Sequence, residues 1–329
     1  MHYHNIFMRH SYNRSILLNV FVILILSIIA ETSSFAQNEQ KMFYALNTNP
    51  YLLDQVPTIT PSIAYSVRKL KRKYTGPSMR VRRNNSGADA EADVYFDGSG
   101  VVSGNSNVIV TIAGGGASVG DVMSFSSFYS GLNVYVKTWY DQSGNGNNAV
   151  QTTTSAQPQI VKTGVLVTEN GKSSIEFAGL HSSILLNLTT ALNLTNGSLF
   201  GVYNLITAAT TAGLADNGTY SYNVNTFNNT GKIGVTQYTV SDVASTINYG
   251  TTLDVVSWSK SSVNTYVEID NRTSTSTAAL NIPIAVAQVY GNALTTTVIH
   301  ISELIITGYA TTTQRPSVFK NQKAFYNTP

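Results

Sequence analysis

Apolar and polar residues alternate with a period of two through much of the chain, which predicts short strands separated by polar turns. Val134, Val136 and Thr138 alternate with Tyr135, Lys137 and Trp139, and Met79 and Val81 alternate with Arg80 and Arg82, so both stretches read as strands with one polar face. Past residue 157, a hairpin is predicted over 165–177, with Asn170-Gly171 as its two-residue turn. Further strands are expected at 199–206, 232–240, 253–258, 263–269, 282–290 and 298–307, with a turn at Asp270-Asn271. Strands this short and regular indicate an antiparallel sandwich rather than alternating strand–helix units.

Helical spacing appears in two places. Thr60 offers a capping hydroxyl before Pro61, and Ile63, Val67, Leu70 and Tyr74 follow near one face, so a helix is expected over 61–73, ended by Thr75-Gly76-Pro77. A closing helix is expected over 316–326, with Val318, Phe319, Phe325 and Tyr326 packing it back. Residues 121–129 read as a shorter helix, 89–97 as an acidic loop, and Gly114-Gly115-Gly116 as a turn. That turn lacks the Gly-Lys-Ser/Thr ending of a phosphate loop and is given no nucleotide role.

The strand ending at Trp139 runs into Tyr140-Asp141-Gln142-Ser143-Gly144-Asn145-Gly146-Asn147-Asn148. Glycine and asparagine there permit positive φ, and short polar side chains replace apolar ones. Three readings of this loop stand open. Asp141, Ser143 and Asn145 at positions one, three and five, with Gly146 at six, follow a calcium loop; Thr152 at position twelve replaces the bidentate glutamate, which excludes an EF-hand loop and leaves only a looser calcium site. Direct sugar binding by Asp141, Asn145 and Asn147 beside a Trp139 and Tyr140 platform is the second. A turn in which Asp141 and the asparagines bond backbone N–H groups is the third, and the local chemistry favours it.

Composition narrows the classes. Arg9 and Arg14, an apolar run over 16–30 interrupted by Asn19 and Ser27, and Ser34-Phe35-Ala36 before Gln37 read as a secretory signal over 1–36, with Met1 or Met8 as the start. The run is shorter than the roughly 20 residues of a spanning helix, so a secreted protein without a retained membrane anchor is expected. Residues 37–59 then read as a lead-in and 60–329 as a single domain. The chain has no cysteine, which excludes thiolate chemistry and places its stability on a buried core. Past residue 36 only His181 and His300 remain, too few for a histidine-rich zinc site. Arg68, Lys69, Lys71, Arg72, Lys73, Arg80, Arg82 and Arg83 fall within 16 positions. They are read as solvated faces of a helix and a strand in preference to a nucleic-acid or anionic-polymer footprint.

Three blocks in the same order carry a resemblance: Ala64-Tyr65-Ser66-Val67-Arg68-Lys69-Leu70, Tyr74 through Arg83 (Tyr-Thr-Gly-Pro-Ser-Met-Arg-Val-Arg-Arg), and Trp139 through Asn147. With them the chain resembles the catalytic-domain family of fungal-type α-L-arabinofuranosidase B. Asn170-Gly171-Lys172 and Ile301-Ser302-Glu303-Leu304-Ile305 extend the likeness to a concanavalin A-like second half. The resemblance implies an all-β, concanavalin A-like jelly-roll sandwich of antiparallel sheets with small helical decorations, and arabinose-containing plant polysaccharide as the partner.

Retaining hydrolysis needs two carboxyl groups roughly 5 Å apart across the scissile bond. Where the resemblance implies the nucleophilic glutamate, this chain reads Lys232-Ile233-Gly234-Val235-Thr236-Gln237-Tyr238; where it implies the aspartic acid, Tyr290-Gly291-Asn292. The family's adjacent pocket cysteines are missing too. Glu176, Glu268 and Glu303 on predicted strands, and Asp216 and Asp242 beside predicted loops, are the substitutes to weigh. Glu303 reads as satisfying local backbone donors and Glu268 as solvated. The expectation is a secreted carbohydrate-interacting domain that binds without hydrolysis, with an active α-L-arabinofuranosidase as the alternative.

Overall fold

A computed structural model describes residues 50–328, apart from 180–182, 208–212, 218–222, 228–231, 238–240, 249–251, 262–264, 270–271, 277–283 and 292–296. The expected export signal, His181, Asp270 and Asn292 lie outside the described residues. Strands run antiparallel in two layers. One layer contains, in order of pairing, Arg272–Ser276, Thr265–Ile269, Asp254–Lys260, Gly197–Leu205 and Thr297–Thr307. The far edge of Thr297–Thr307 is shared, with Pro61–Ser66 along one end and Ile175–Gly179 along the other. The second layer runs from Val122–Ser124 through Asn107–Ile112, Ala90–Val94 and Met79–Asn84 to Asn133–Trp139. It continues through Ala149–Val150, Leu186–Leu194, Ile284–Gly291, Gly213–Asp216, Asn223–Phe227 and Lys232–Gln237 to Ser241–Asn248. Gln159–Lys162 bonds to both Asn133–Trp139 and Ile175–Gly179 and stitches the layers together. The expected all-β sandwich is the fold observed.

Side chains alternate across each strand, and two cores result. Ile63, Tyr65, Val81, Val136, Trp139, Ile175, Phe177, Ile299 and Ile301 fill the space between the layers. Ala64, Phe200 and Ile305 face the other way, against Leu52, Leu53, Val56 and Val318. Those come from the short helix Leu52–Gln55, its following turn, and the closing helix Gln314–Tyr326. The lead-in is therefore part of the domain from residue 50 onward, since its leucines cover one sheet face.

Two local expectations are corrected. Residues 61–66 form a strand, not the first turns of a helix. Ile63, Tyr65 and Val67 enter one core while Ala64 and Leu70 enter the other, so the segment is buried on both sides, and its pairing with Thr297–Thr307 outweighs the helical spacing. Residues 90–94 form a strand rather than an acidic loop, because the carboxylate of Asp93 meets Arg80 on the adjacent strand and that of Glu91 meets Lys137 on the next strand but one. The hairpin turn is as expected: Asn170 and Gly171 take φ of 47° and 74°, the left-handed pair that a two-residue turn requires. Among the described residues no helix is long and apolar enough to cross a membrane.

Candidate functional site

The loop after Trp139 is a polar brace. Asp141 receives the backbone N–H of Ala64 at 2.9 Å, of Ser143 at 2.9 Å and of Asn147 at 3.1 Å, and the Ser143 hydroxyl at 2.6 Å. Gln142 accepts from Leu70 N–H and donates to the carbonyls of Ser66 and Arg68. The loop thus holds the whole 64–70 segment in place through groups that would otherwise be buried without partners.

Each residue proposed there for sugar binding has a defined place. Trp139 is fully enclosed and stacks on Tyr65 with ring centroids 5.7 Å apart, so it offers no platform. Tyr140 is half-buried and donates to Asp93 at 2.9 Å; burial first, then the Asp93 charge, push its pKa up. Asn145 donates to the carbonyls of Pro61 and Ser62. Asn147 is 8% exposed; its amide donates to the Thr190 carbonyl and its oxygen accepts from the Thr189 hydroxyl and Thr190 N–H. These contacts match a structural turn. They leave Asp141 no oxygen lone pair aimed at an ion, and among the described residues no cluster of acids and histidine is arranged to hold a metal.

The candidate carboxylates also differ from expectation. Glu303 is completely buried and meets no local backbone donor: Arg68 approaches at 2.7 and 3.1 Å, with Ser66, Gln322 and Tyr326 hydroxyl or amide groups around it. Burial works against the Arg68 charge, but Glu303 outweighs it and raises the guanidinium pKa. Glu268 is buried rather than solvated, accepting from Ser257 and pairing with Arg315 at 3.1 Å. Arg82 and Arg83, read as part of a solvated face, are buried as well: Arg82 bonds Gln157 and Asp89, and Arg83 bonds the carbonyls of Phe128, Gly114 and Gly115. Asp216 is the last residue of the strand Gly213–Asp216 and is fully buried.

One group of titratable side chains does converge. Glu176 and Asn204 flank His300 on adjacent strands, directly paired with it, and cross-strand partners share a face. The hairpin Thr168–Ser173 adds Glu169. His300 Nδ1 lies 2.5 Å from Glu169 and Nε2 lies 3.2 Å from Glu176, while Lys162 bonds Glu176 at 2.8 Å and Asn204 donates to Glu169 at 2.9 Å. Burial opposes a charge on His300, yet the two carboxylates prevail and its pKa lies above the ordinary imidazole value. The His300 hydrogen bond, against burial and with help from Lys162, holds Glu176 below the usual carboxylate range. The imidazole fills the gap between the two carboxyl groups. Of the four partners only Glu176 stood out in the sequence; the Asn170-Gly171 turn was the available signal for Glu169.

The positions that the resemblance aligns with the catalytic acids hold none. The strand Lys232–Gln237 carries no carboxylic acid. At the other, Tyr290 is next to last in the strand Ile284–Gly291 with φ of 57°, its ring buried beside Phe177 and its hydroxyl donating to the Gly179 carbonyl.

No protein-family model matches the chain, and no curated protein matches it. Solved structures do. A GH54 α-L-arabinofuranosidase soaked with a cyclic sulfate inhibitor superposes with a TM-score of 0.51 at 14% identity, over 83% of this chain and 64% of that one. A glutamate-to-glutamine variant of a GH54 α-L-arabinofuranosidase, soaked with 4-nitrophenyl α-L-arabinofuranoside, gives the same values. An arabinofuranosidase complexed with arabinofuranosyl-α-1,2-xylobiose matches at 13% identity and a TM-score of 0.49. The chain spans 64% of the length of these enzymes, and what it shares with the GH54 α-L-arabinofuranosidases is their β-sandwich fold.

Proposed function

We propose that this chain is a secreted carbohydrate-binding sandwich that engages arabinose-containing polysaccharide without hydrolysing it. The observation that carries the reading is the arrangement of the converging glutamates. The two carboxyl groups of a retaining pair flank the scissile bond roughly 5 Å apart, with nothing of the protein between them. Between Glu169 and Glu176 stands His300, bonded to both, and Lys162 and Asn204 occupy further lone pairs. Neither carboxyl group is presented to a glycosidic bond. The shared fold supports a carbohydrate partner, and the acid-free strand Lys232–Gln237 supports binding over turnover.

The test uses the chain from residue 37 onward in two assays. Affinity electrophoresis in gels containing arabinan or arabinoxylan is expected to retard it, and 4-nitrophenyl α-L-arabinofuranoside is expected to stay intact. Turnover that disappears in Glu176→Gln would establish the alternative, an active arabinofuranosidase. Migration unchanged by either polysaccharide would remove the binding role.

A further inference from the structure

Six basic side chains in the described domain are matched by an acid. Arg68, Arg80, Arg82, Lys137, Lys162 and Arg315 each lie within ion-pair distance of a carboxylate. The turn that follows Arg68 is different. Among the described residues, none of Lys69, Lys71, Arg72 and Lys73 pairs with a carboxylate; Asp54 takes the backbone N–H of Arg72, not its guanidinium. Outside these four the chain carries 16 basic against 17 acidic residues, so this turn concentrates the positive excess.

The turn is also held rigidly. Lys69 N–H donates to Gly100 carbonyl at 2.8 Å and Leu53 N–H to Leu70 carbonyl at 3.0 Å. The Lys71 ammonium is fixed on the Ser143 carbonyl at 2.8 Å. Tyr51 lies beneath two of the cations, its ring centre 5.9 Å from the Lys69 nitrogen and 5.6 Å from the Arg72 guanidinium carbon. Cation–ring attraction keeps those two charges side by side, which lowers the ordering cost of meeting an anion. Arg72 and Lys73 are exposed.

We infer that the 69–73 turn with Tyr51 is a docking site for the acidic groups of a polysaccharide, carboxylate or sulfate. The choice of a glycan as the polyanion rests on the function proposed above. The exposed large apolar side chains, Ile112, Val119, Val122, Val165 and Ile206, lie elsewhere in sequence, so the turn lacks the inserting residues that a lipid surface would engage. The four cations lie within one five-residue turn, a shorter footprint than a basic face that tracks a duplex.

The experiment compares the parent chain with the triple variant Lys69→Gln/Arg72→Gln/Lys73→Gln, keeping Lys71 because it braces the Ser143 carbonyl. Affinities for polygalacturonate, dextran sulfate, neutral arabinan and a DNA duplex are measured at 50 and 500 mM NaCl. Binding to at least one acidic glycan is expected to weaken about ten-fold in the variant, from three lost surface ion pairs. It should weaken also with salt. Arabinan binding should stay unchanged, and comparison of the two acidic glycans identifies the preferred group. Acidic-glycan binding that is absent, or equal in parent and variant, overturns the inference while arabinan binding preserves the proposed function. DNA bound as tightly as the better acidic glycan, with the same loss in the variant, also overturns the assignment to a glycan.

Discussion

Replacing Glu303 with glutamine tests whether a buried ion pair fixes the closing helix to the sheet. The substitution keeps the shape and removes one charge. Glu303 is fully buried and Arg68 is 1% exposed, so the guanidinium left behind has no solvent to turn to. Outside position 303 its hydrogen-bond acceptors are the Asn321 side-chain oxygen at 2.7 Å and the Pro50 carbonyl at 3.4 Å, and its guanidinium carbon faces the Phe325 and Tyr326 rings at 4.4 and 5.4 Å, all of them neutral. Stranding a buried charge in this way costs about 3–5 kcal/mol. For a domain of this size the unfolding entropy converts that to a fall in Tm of roughly 5–8 °C. The decisive companion is the double variant Arg68→Met/Glu303→Gln. It removes the stranded charge and leaves an amide at 303 to meet Ser66, Gln322 and Tyr326, so it should recover at least half of the loss. Scanning calorimetry of the four proteins closes the cycle. A Glu303→Gln protein that melts within 1–2 °C of the parent, or a double variant no better than the sum of its singles, would refute the reasoning.

Asp141→Ala removes an acceptor shared by four donors and should lower stability by at least the 1–3 kcal/mol typical of stranding one buried group, read as an earlier urea midpoint with an unchanged slope. Asn147→Ala, which an exposed side chain would tolerate, should instead cost about 1–3 kcal/mol, because the amide bridges the loop to Thr189 and Thr190; a melting curve overlaying the parent would return Asn147 to a binding role. The His300 cluster sets a pH window. Because the folded His300 pKa is raised, its contribution is complete below the unfolded value of about 6.5 and is lost as pH rises through the folded one; because that of Glu176 is lowered, its contribution is complete above the ordinary carboxylate value and is lost as acid passes the folded one. Tm measured from pH 4 to 9 should therefore fall more from pH 5.5 to 9 in the parent than in His300→Gln, and equal profiles would remove the cluster from the account.

How much of this was legible in the sequence depends on the range of the interaction concerned. Strands with one polar face, such as Met79–Asn84 and Asn133–Trp139, declare themselves through their own alternation. The Asn170-Gly171 turn and the closing helix are local too. The 61–66 segment was misread because Ile63, Val67 and Leu70 satisfy a helical period while Ile63, Tyr65 and Val67 satisfy a strand period. Only the pairing with Thr297–Thr307 decides between them. Arg68 was read as solvated for the same reason: its carboxylate partner is 235 positions away.

The candidate sites divide along the same line. Within the loop after Trp139, the Asp141–Ser143 bonds span two residues, and the residue types alone pointed to a turn. What the loop braces, the backbone of Ala64 77 positions earlier, had no local signature. The placement of Trp139 inside the core departs from simple strand parity with the inward-facing Val136: a register shift in the pairing with Met79–Asn84 turns Trp139 inward as well. The Glu169–His300–Glu176 group is legible only after register is known, since a shift of one residue would send His300 to the opposite face and scatter its partners. Pairing, not composition, makes His300, Glu169 and Glu176 a chemical unit. That is why the sequence alone displays no acid–base couple, and why the couple that exists is closed by its own histidine.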